Sequence, residues 1–299
     1  MLFIATLLLS SSVPTPRPKS VIRITEATSR RPVLLVGSMH YNPASIEVVR
    51  STVKSAASSP GLHATAIELC PARWNSTVAS TWSRSGWRRM LAEDEFQVAF
   101  ETATDCGLAD VALADQAIET TARRLVESLL ATLRDLLTPA GWRLISADLQ
   151  LFLRQLPAFG SAMLDAGVLA GMPLAAARYL YQSPAALPFV SFSVAALGLA
   201  AAIDEATGAL PAWEDGVLTL FVAIVLGRTV FISLIQERNL VLARNIRQLC
   251  LDDGGEDAAT AAAPQSAEDV EAKKVVVAVL GMAHLEGVRQ ALIDEGFDA

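Results

Sequence analysis

Pro32-Val33-Leu34-Leu35-Val36-Gly37-Ser38-Met39-His40-Tyr41-Asn42-Pro43 is the stretch that decides how this chain folds. Four consecutive apolar residues stop at a glycine, the pattern of a short strand buried on both faces. Asn42-Pro43 then opens a helix, with Asn as N-cap and Pro in the first helical position. Ile46, Val49 and Val53 follow at helical spacing, so the helix runs to about Ala57. Pro60-Gly61 ends it, and Ala64 to Leu69 forms the next strand. Strand, helix and strand at these lengths make a βαβ unit, so the two strands are expected to be parallel with a right-handed crossover.

Working outward, Phe96 to Cys106 reads as a helix ending at Gly107, and Ala109 to Ala114 as a third strand ending at Asp115. Far downstream, Val275-Val276-Val277-Ala278-Val279-Leu280 is the most strand-like run in the chain. It stops at Gly281, and a short helix from Gly287 to about Asp294 follows. Between Ile118 and Leu251 no strand signal occurs. Arg123 to Leu137 and Ser146 to Leu156 are helical in pattern. Tyr179 to Ile203 then carries no charge, and Gly216 to Ile235 carries only Arg228. Each is long enough to cross a hydrocarbon core of ~30 Å as a helix. Asp204, Glu205, Glu214 and Asp215 lie between them with no basic residue, which places an acidic hairpin tip away from the positive side of a membrane. The competing reading is a helical hairpin packed against the rest of the protein. Pro184 and Pro188 weaken the first span, and Arg228 is costly inside a bilayer.

The expected fold class is therefore α/β: a mostly parallel sheet core split by a large all-α insertion that contains a candidate membrane hairpin. Residues 1–30 are a targeting or disordered segment, and 31–118 are the first part of the core. Residues 119–251 are the helical insertion, with candidate spans at 179–203 and 216–235. Residues 252–271, rich in Ala, Gly, Asp and Glu, read as a disordered linker. Residues 272–299 supply the last strand and helix.

Composition agrees with an apolar protein. Hydrophobic residues make up 52% and charged residues 18%, with a mean hydropathy of +0.40; soluble domains carry about 25% charged residues. A large core, a membrane-embedded part, or both, follow. The net charge is −7 with no basic tract, so nucleic acid is not expected as a partner. Cys70, Cys106 and Cys250 form no CxxC pair, which argues against a disulfide framework or a zinc knuckle. The apolar run Leu2 to Leu9 is too short to span a bilayer and has no basic region before it.

The polar residues that follow the strands carry the chemistry. His40 follows the first strand, Glu68 ends the second, Asp115 ends the third and His284 follows the last. In open parallel sheets that edge is where ligands bind. Two Gly-x-x-His turns, Gly37–His40 and Gly281–His284, thus come to one rim with two carboxylates. Glycine lets the backbone turn sharply and approach a ligand closely. Imidazole and carboxylate are ligands for zinc, manganese or iron. Glu68 can ligate a metal, act as general base on water, or pair with Arg73 as a structural ion pair. Glu237-Arg238-Asn239 ends the second apolar stretch, where its charges either point into the site or form a solvated turn. His63 precedes a strand and is given no role.

These residues together resemble the TraB/PrgY family, related to GumN and the Tiki proteins. The resemblance rests on VLLVGSMHYNPASIEVVR from Val33, AIELCPARW from Ala66, FQVAFETATDCGLADVALADQAIETTARR from Phe96, ERNLVLARNI from Glu237 and VVVAVLGMAHLEGV from Val275. The Glu68 to Arg73 element and the closing Gly-Met-x-His are its most specific parts. The resemblance implies a site of His40, Glu68, Arg73, Asp115, Arg123, Glu237, Arg238 and His284. Within it, His40, His284 and Glu68 are the metal ligands; Glu68, Arg73, Glu237 and Arg238 are catalytic; Asp115 and Arg123 bind substrate. It implies a divalent metal, zinc, manganese or cobalt, and a membrane-associated, metal-dependent hydrolase acting on a peptide or protein. The membrane is that of the cell or of an organelle. Two departures stand out. The family carries Gly-Asp-Arg where this chain has Ala114-Asp115-Gln116, and Glu-Arg-Asp where it has Glu237-Arg238-Asn239. One positive and one negative group are missing. The alternative expectation is a non-catalytic binding or membrane-tethering protein that keeps the same fold.

Overall fold

The last long strand of the sequence lies in the middle of the sheet. The computed structural model describes residues 20–78, 86–108, 111–182, 221–222, 224–252 and 273–298. Its strands are β1 (Val21–Glu26), β2 (Pro32–Ser38), β3 (Leu62–Ile67), β4 (Val111–Leu113), β5 (Val275–Gly281) and β6 (Phe297–Asp298), in the spatial order β4-β3-β5-β2-β1-β6. β4, β3, β5 and β2 are parallel; β1 and β6 add an antiparallel edge. The two strands of the βαβ unit are parallel as expected, but they are not neighbours. β5 inserts between them, pairing Val33 with Val276 on one side and Thr65 with Val277 on the other.

Residues 21–26, expected to lie in a targeting or disordered segment, are a strand. Val21-Ile22-Arg23-Ile24 alternates toward a half-buried edge, and Ile24 is buried. Their pairing with β2 through Val21↔Val36 and Thr25↔Pro32 accounts for the placement.

Helices cover both faces of the sheet: α1 (Pro43–Ser58) and α4 (Glu95–Asp105) on one, α8 (Glu237–Leu251) and α9 (Leu285–Asp294) on the other. Strand side chains alternate between faces, and β5 shows this in full. Val275, Val277 and Val279 pack against Val49 and Val53 of α1 and Phe96 of α4. Val276, Ala278 and Leu280 pack against Leu242 and Ile246 of α8 and Val288 of α9. Every residue of β5 is buried, which explains its unbroken apolar run. The cap predicted for α1 is formed: the Asn42 side chain accepts from the backbone N–H groups of Ala44 and Ser45.

The helical region contains α5 (Ile118–Asp135), α6 (Pro139–Met163) and α7 (Ala166–Gln182); short helices α2 (Pro71–Thr77) and α3 (Trp87–Ala92) lie in the core part. No strand occurs among its described residues. Residues 224–230 are helical and continue through a π-helical turn, Phe231–Gln236, into α8. α8 was assigned by pattern to the insertion, but it is a layer of the α/β core. Arg228 is paired: its guanidinium donates to Asp148 at 2.7 Å and to Asp135 at 2.8 Å. No single described helix is long and apolar enough to cross a membrane. α6 and α7 together meet length and composition for a broken span, bent by 86°. Most of the expected span 179–203, part of 216–235 and nearly all of the expected linker lie outside the described residues.

Candidate functional site

The two Gly-x-x-His turns meet at the C-terminal ends of β2 and β5, which are adjacent parallel strands. A methyl group placed on Gly281 would sit 3.2 Å from Glu68 Oε2, 3.4 Å from His40 Nε2 and 3.6 Å from His284 Cδ2. Three side chains from distant parts of the chain therefore converge on one point. A side chain there would make its neighbours give by a few tenths of an ångström, so Gly281 serves close approach; neither Gly37 nor Gly281 has a positive φ. Gly37 plays the same part toward the helix behind it: a Cβ would come within 2.8 Å of Leu285 Cδ2.

The left-handed backbone of the first turn falls instead on Tyr41, with φ of 61°. A non-glycine residue holds that conformation when its surroundings impose it. Here Glu95 Oε2 accepts from the Tyr41 N–H at 3.1 Å, and Arg178 of α7 donates to the Tyr41 carbonyl at 3.1 Å. The same Glu95 uses its other oxygen to hold His40 Nδ1. Glu95 is fully buried, whereas the His40 ring is half-exposed. With Nδ1 anchored, Nε2 faces the pocket. The Glu95 charge raises the His40 pKa to about 9 against the opposing effect of burial. His40 is thus an imidazolium near neutral pH.

His284 is its counterpart. Its Nδ1 lies 2.8 Å from Asn239 Oδ1. Asn239 Oδ1 is an acceptor, so Nδ1 donates and Nε2 keeps its lone pair. That Nε2 lies 3.3 Å from Glu68 Oε1. Burial lowers the pKa of His284, and the nearby Glu68 charge only partly opposes it. The ring is neutral near pH 7. One pocket therefore presents a charged and a neutral imidazole.

Glu68 is buried, and desolvation alone would raise its pKa; His284, Arg238, His40 and a bond from the Gly281 N–H together hold it below the usual value. That backbone bond is 2.6 Å long. The counter-charge of Glu68 is Arg238, not Arg73. Arg238 also grips Asp115 with two bonds, of 2.9 Å and 2.7 Å. Arg73 pairs with Asp115 at 3.2 Å from the outer side. Asp115 is thus consumed in positioning Arg238 and is not free to bind substrate. Glu237 and Arg123 do not line the pocket. Glu237 pairs with Arg124 at 3.7 Å, and Arg123 is an exposed partner of Glu127 at 3.6 Å. Successive residues of a helix point about 100° apart, so Arg238 and Glu237 cannot both face the site.

Glu95, Asn239 and Arg178 were not anticipated as site residues. Glu95 is the first residue of α4, where an acidic residue is ordinary. Only its contact with His40 shows the role. His63, given no role, pairs with Arg31 behind the sheet.

The pocket has a volume of about 390 Å³. Its floor is His40, Glu68, Arg238 and His284, and its far wall is apolar, from Phe159 of α6 and Met172 and Tyr179 of α7. The helical region thus roofs the polar site. For a divalent metal, the donors fit in kind and in ring orientation: each imidazole has Nδ1 anchored and Nε2 turned inward, as ligating histidines do. Among the described residues no group of three His, Cys, Asp or Glu side chains is arranged to hold an ion, and the Arg238 guanidinium sits on Glu68.

Fold and site together define an α/β protein with an imidazole–carboxylate pocket at the C-terminal edge of its parallel strands. Comparison of the chain with protein-family models, with curated proteins and with solved structures gave no match.

Proposed function

We propose that this protein is a membrane-associated hydrolase that adds water to the carbonyl carbon of an amide or ester. The observation that carries the reading is geometric: two imidazoles, each with Nδ1 held by an acceptor, turn Nε2 into one pocket beside a buried carboxylate. His284 Nε2 takes a proton from water as the oxygen attacks the carbonyl carbon. The negative charge of Glu68 beside the ring stabilises the imidazolium. His40 Nε2–H offers positive charge to the developing oxyanion and then gives its proton to the leaving nitrogen or oxygen. The products are a carboxylic acid and an amine or alcohol. Opposed protonation states in one pocket are the pattern of an acid–base pair. Arg238, fixed by Asp115, keeps Glu68 ionised. The TraB/PrgY-like motifs support the same class and a peptide or protein substrate.

Full-length protein should hydrolyse activated esters or fluorogenic peptides, and His40→Ala or His284→Ala should lower kcat by about 10²–10⁴-fold with unchanged circular dichroism. Folded variants that retain the wild-type rate would sink the reading.

A second version has a divalent metal held by His40, His284 and Glu68, and is favoured by the convergence of those side chains at Gly281. The ion would supply Lewis acidity at the water. Elemental analysis decides it: a stoichiometric metal that disappears in both histidine variants supports this version, and no stoichiometric metal in the wild type removes it.

A further inference from the structure

A second cavity, of about 200 Å³, adjoins the site and shares Phe159, Met282 and Ala283 with it. One wall is a single face of α6, where Phe152, Gln155, Leu156, Phe159 and Ala162 recur at helical spacing. Phe231 and Ile235 of the π-helical turn form the opposite wall, and Leu285 lies at the base. The edge-to-face contact of Phe152 with Phe231, centroids 5.3 Å apart, lies at the end remote from the site. Among the described residues its one charged lining group is Glu286, which is held by Arg289 through two bonds of 2.6 Å and 3.0 Å.

The shape is informative. Phe152 to Ala162 covers about 15 Å of helix. The cavity of about 200 Å³ is an apolar groove open to one side, since Phe152, Leu156 and Phe159 on its wall are each about one-third exposed. Its mostly apolar lining suits the surface of a hydrocarbon chain. It offers no cation for an anionic group and no ring of donors for a sugar.

We propose that this groove is an acyl-chain subsite, and that the substrate carries an unbranched acyl group whose carbonyl lies between His40 and His284. The proposal rests on the hydrolase reading for the position of the carbonyl; binding of the chain itself does not. Each methylene buried contributes about 0.8 kcal/mol, which is about a fourfold gain.

The test is calorimetric titration of full-length protein with straight-chain carboxylates from acetate to decanoate, which are the acid products. Affinity should rise about fourfold per methylene and then level off when the groove is full. Ala158→Phe, a half-exposed change on the groove wall away from the imidazoles, should bring the plateau to a shorter chain. Chain-length-independent binding, or a series unchanged by Ala158→Phe, would overturn the proposal. The two readings fail separately. Rising affinity with wild-type hydrolysis in the histidine variants would remove the hydrolase and keep the subsite. A flat series with histidine-dependent hydrolysis would do the reverse.

Discussion

Asn239 decides which form of His284 faces the pocket. It accepts the Nδ1 proton at 2.8 Å without adding a charge. The resemblance to TraB/PrgY-like sequences implies an aspartate at this position, where this chain has an amide. The amide keeps the tautomer and leaves the ring neutral in a buried place. Asn239→Asp would place a carboxylate beside the ring and favour its charged form, raising the His284 pKa. A base must be unprotonated to act, so the ascending limb of the pH–rate profile should move to higher pH. An unchanged limb would show that His284 is not the base. Glu68 and the two histidines were readable as candidates because each follows an apolar run. Glu95 was not, because nothing in the order of residues links position 95 to position 40. Arg238 in place of Arg73 as the partner of Glu68 was equally hidden, since both lie within reach of a rim whose side-chain directions depend on packing.

α9 approaches α8 closely at Gly287, where a Cβ would lie 1.9 Å from Asn239 Nδ2. The two helices share the apolar layer formed by Leu242, Ile246, Val288 and Leu292. That layer fixes their separation, and the glycine gives Asn239 room to reach His284. Gly287→Ala should therefore displace Asn239. We expect stability to fall by about 1–3 kcal/mol, the cost of overpacking, while kcat falls by more than that loss predicts. Chemical denaturation and initial rates measured on one preparation check this; wild-type kcat with lowered stability would separate the packing from the site. At this level most of the core was legible. The β-branched runs became β2 and β5, and Asn42-Pro43 became a capped helix start. α8 was misplaced because its apolar stripe, read alone, matches an insertion helix as well as a sheet-covering one.

The molecule as a whole joins an α/β core to helices with a strongly apolar outer surface. Leu130 on α5, Leu144, Leu149 and Leu153 on α6, and Leu137 in the turn between them are exposed. Exposed apolar side chains in this number are what an interaction face presents. The net charge of −7 gives no overall attraction to anionic lipid headgroups. Full-length protein should therefore float with neutral phosphatidylcholine vesicles, and added salt should not release it, since screening acts on charge and not on apolar burial. Protein that stays at the bottom of the gradient at every lipid concentration would remove the membrane from the proposal.

What the sequence alone determined is local: which runs are strands, where they stop, and that polar residues follow their ends. Those follow from short-range physics, the period of side-chain burial and the backbone preferences of Gly, Pro and Asn. What the tertiary structure decided is which of those ends meet. β5 could have joined the sheet at an edge; it entered the middle, because a strand apolar on both faces is fully covered only between two layers of helices. That placement sets Gly281 beside Ser38, and with it His284 opposite His40. The partners of each charge were settled at the same step. A buried carboxylate takes whichever cation packing brings within hydrogen-bonding reach, and sequence distance does not measure that.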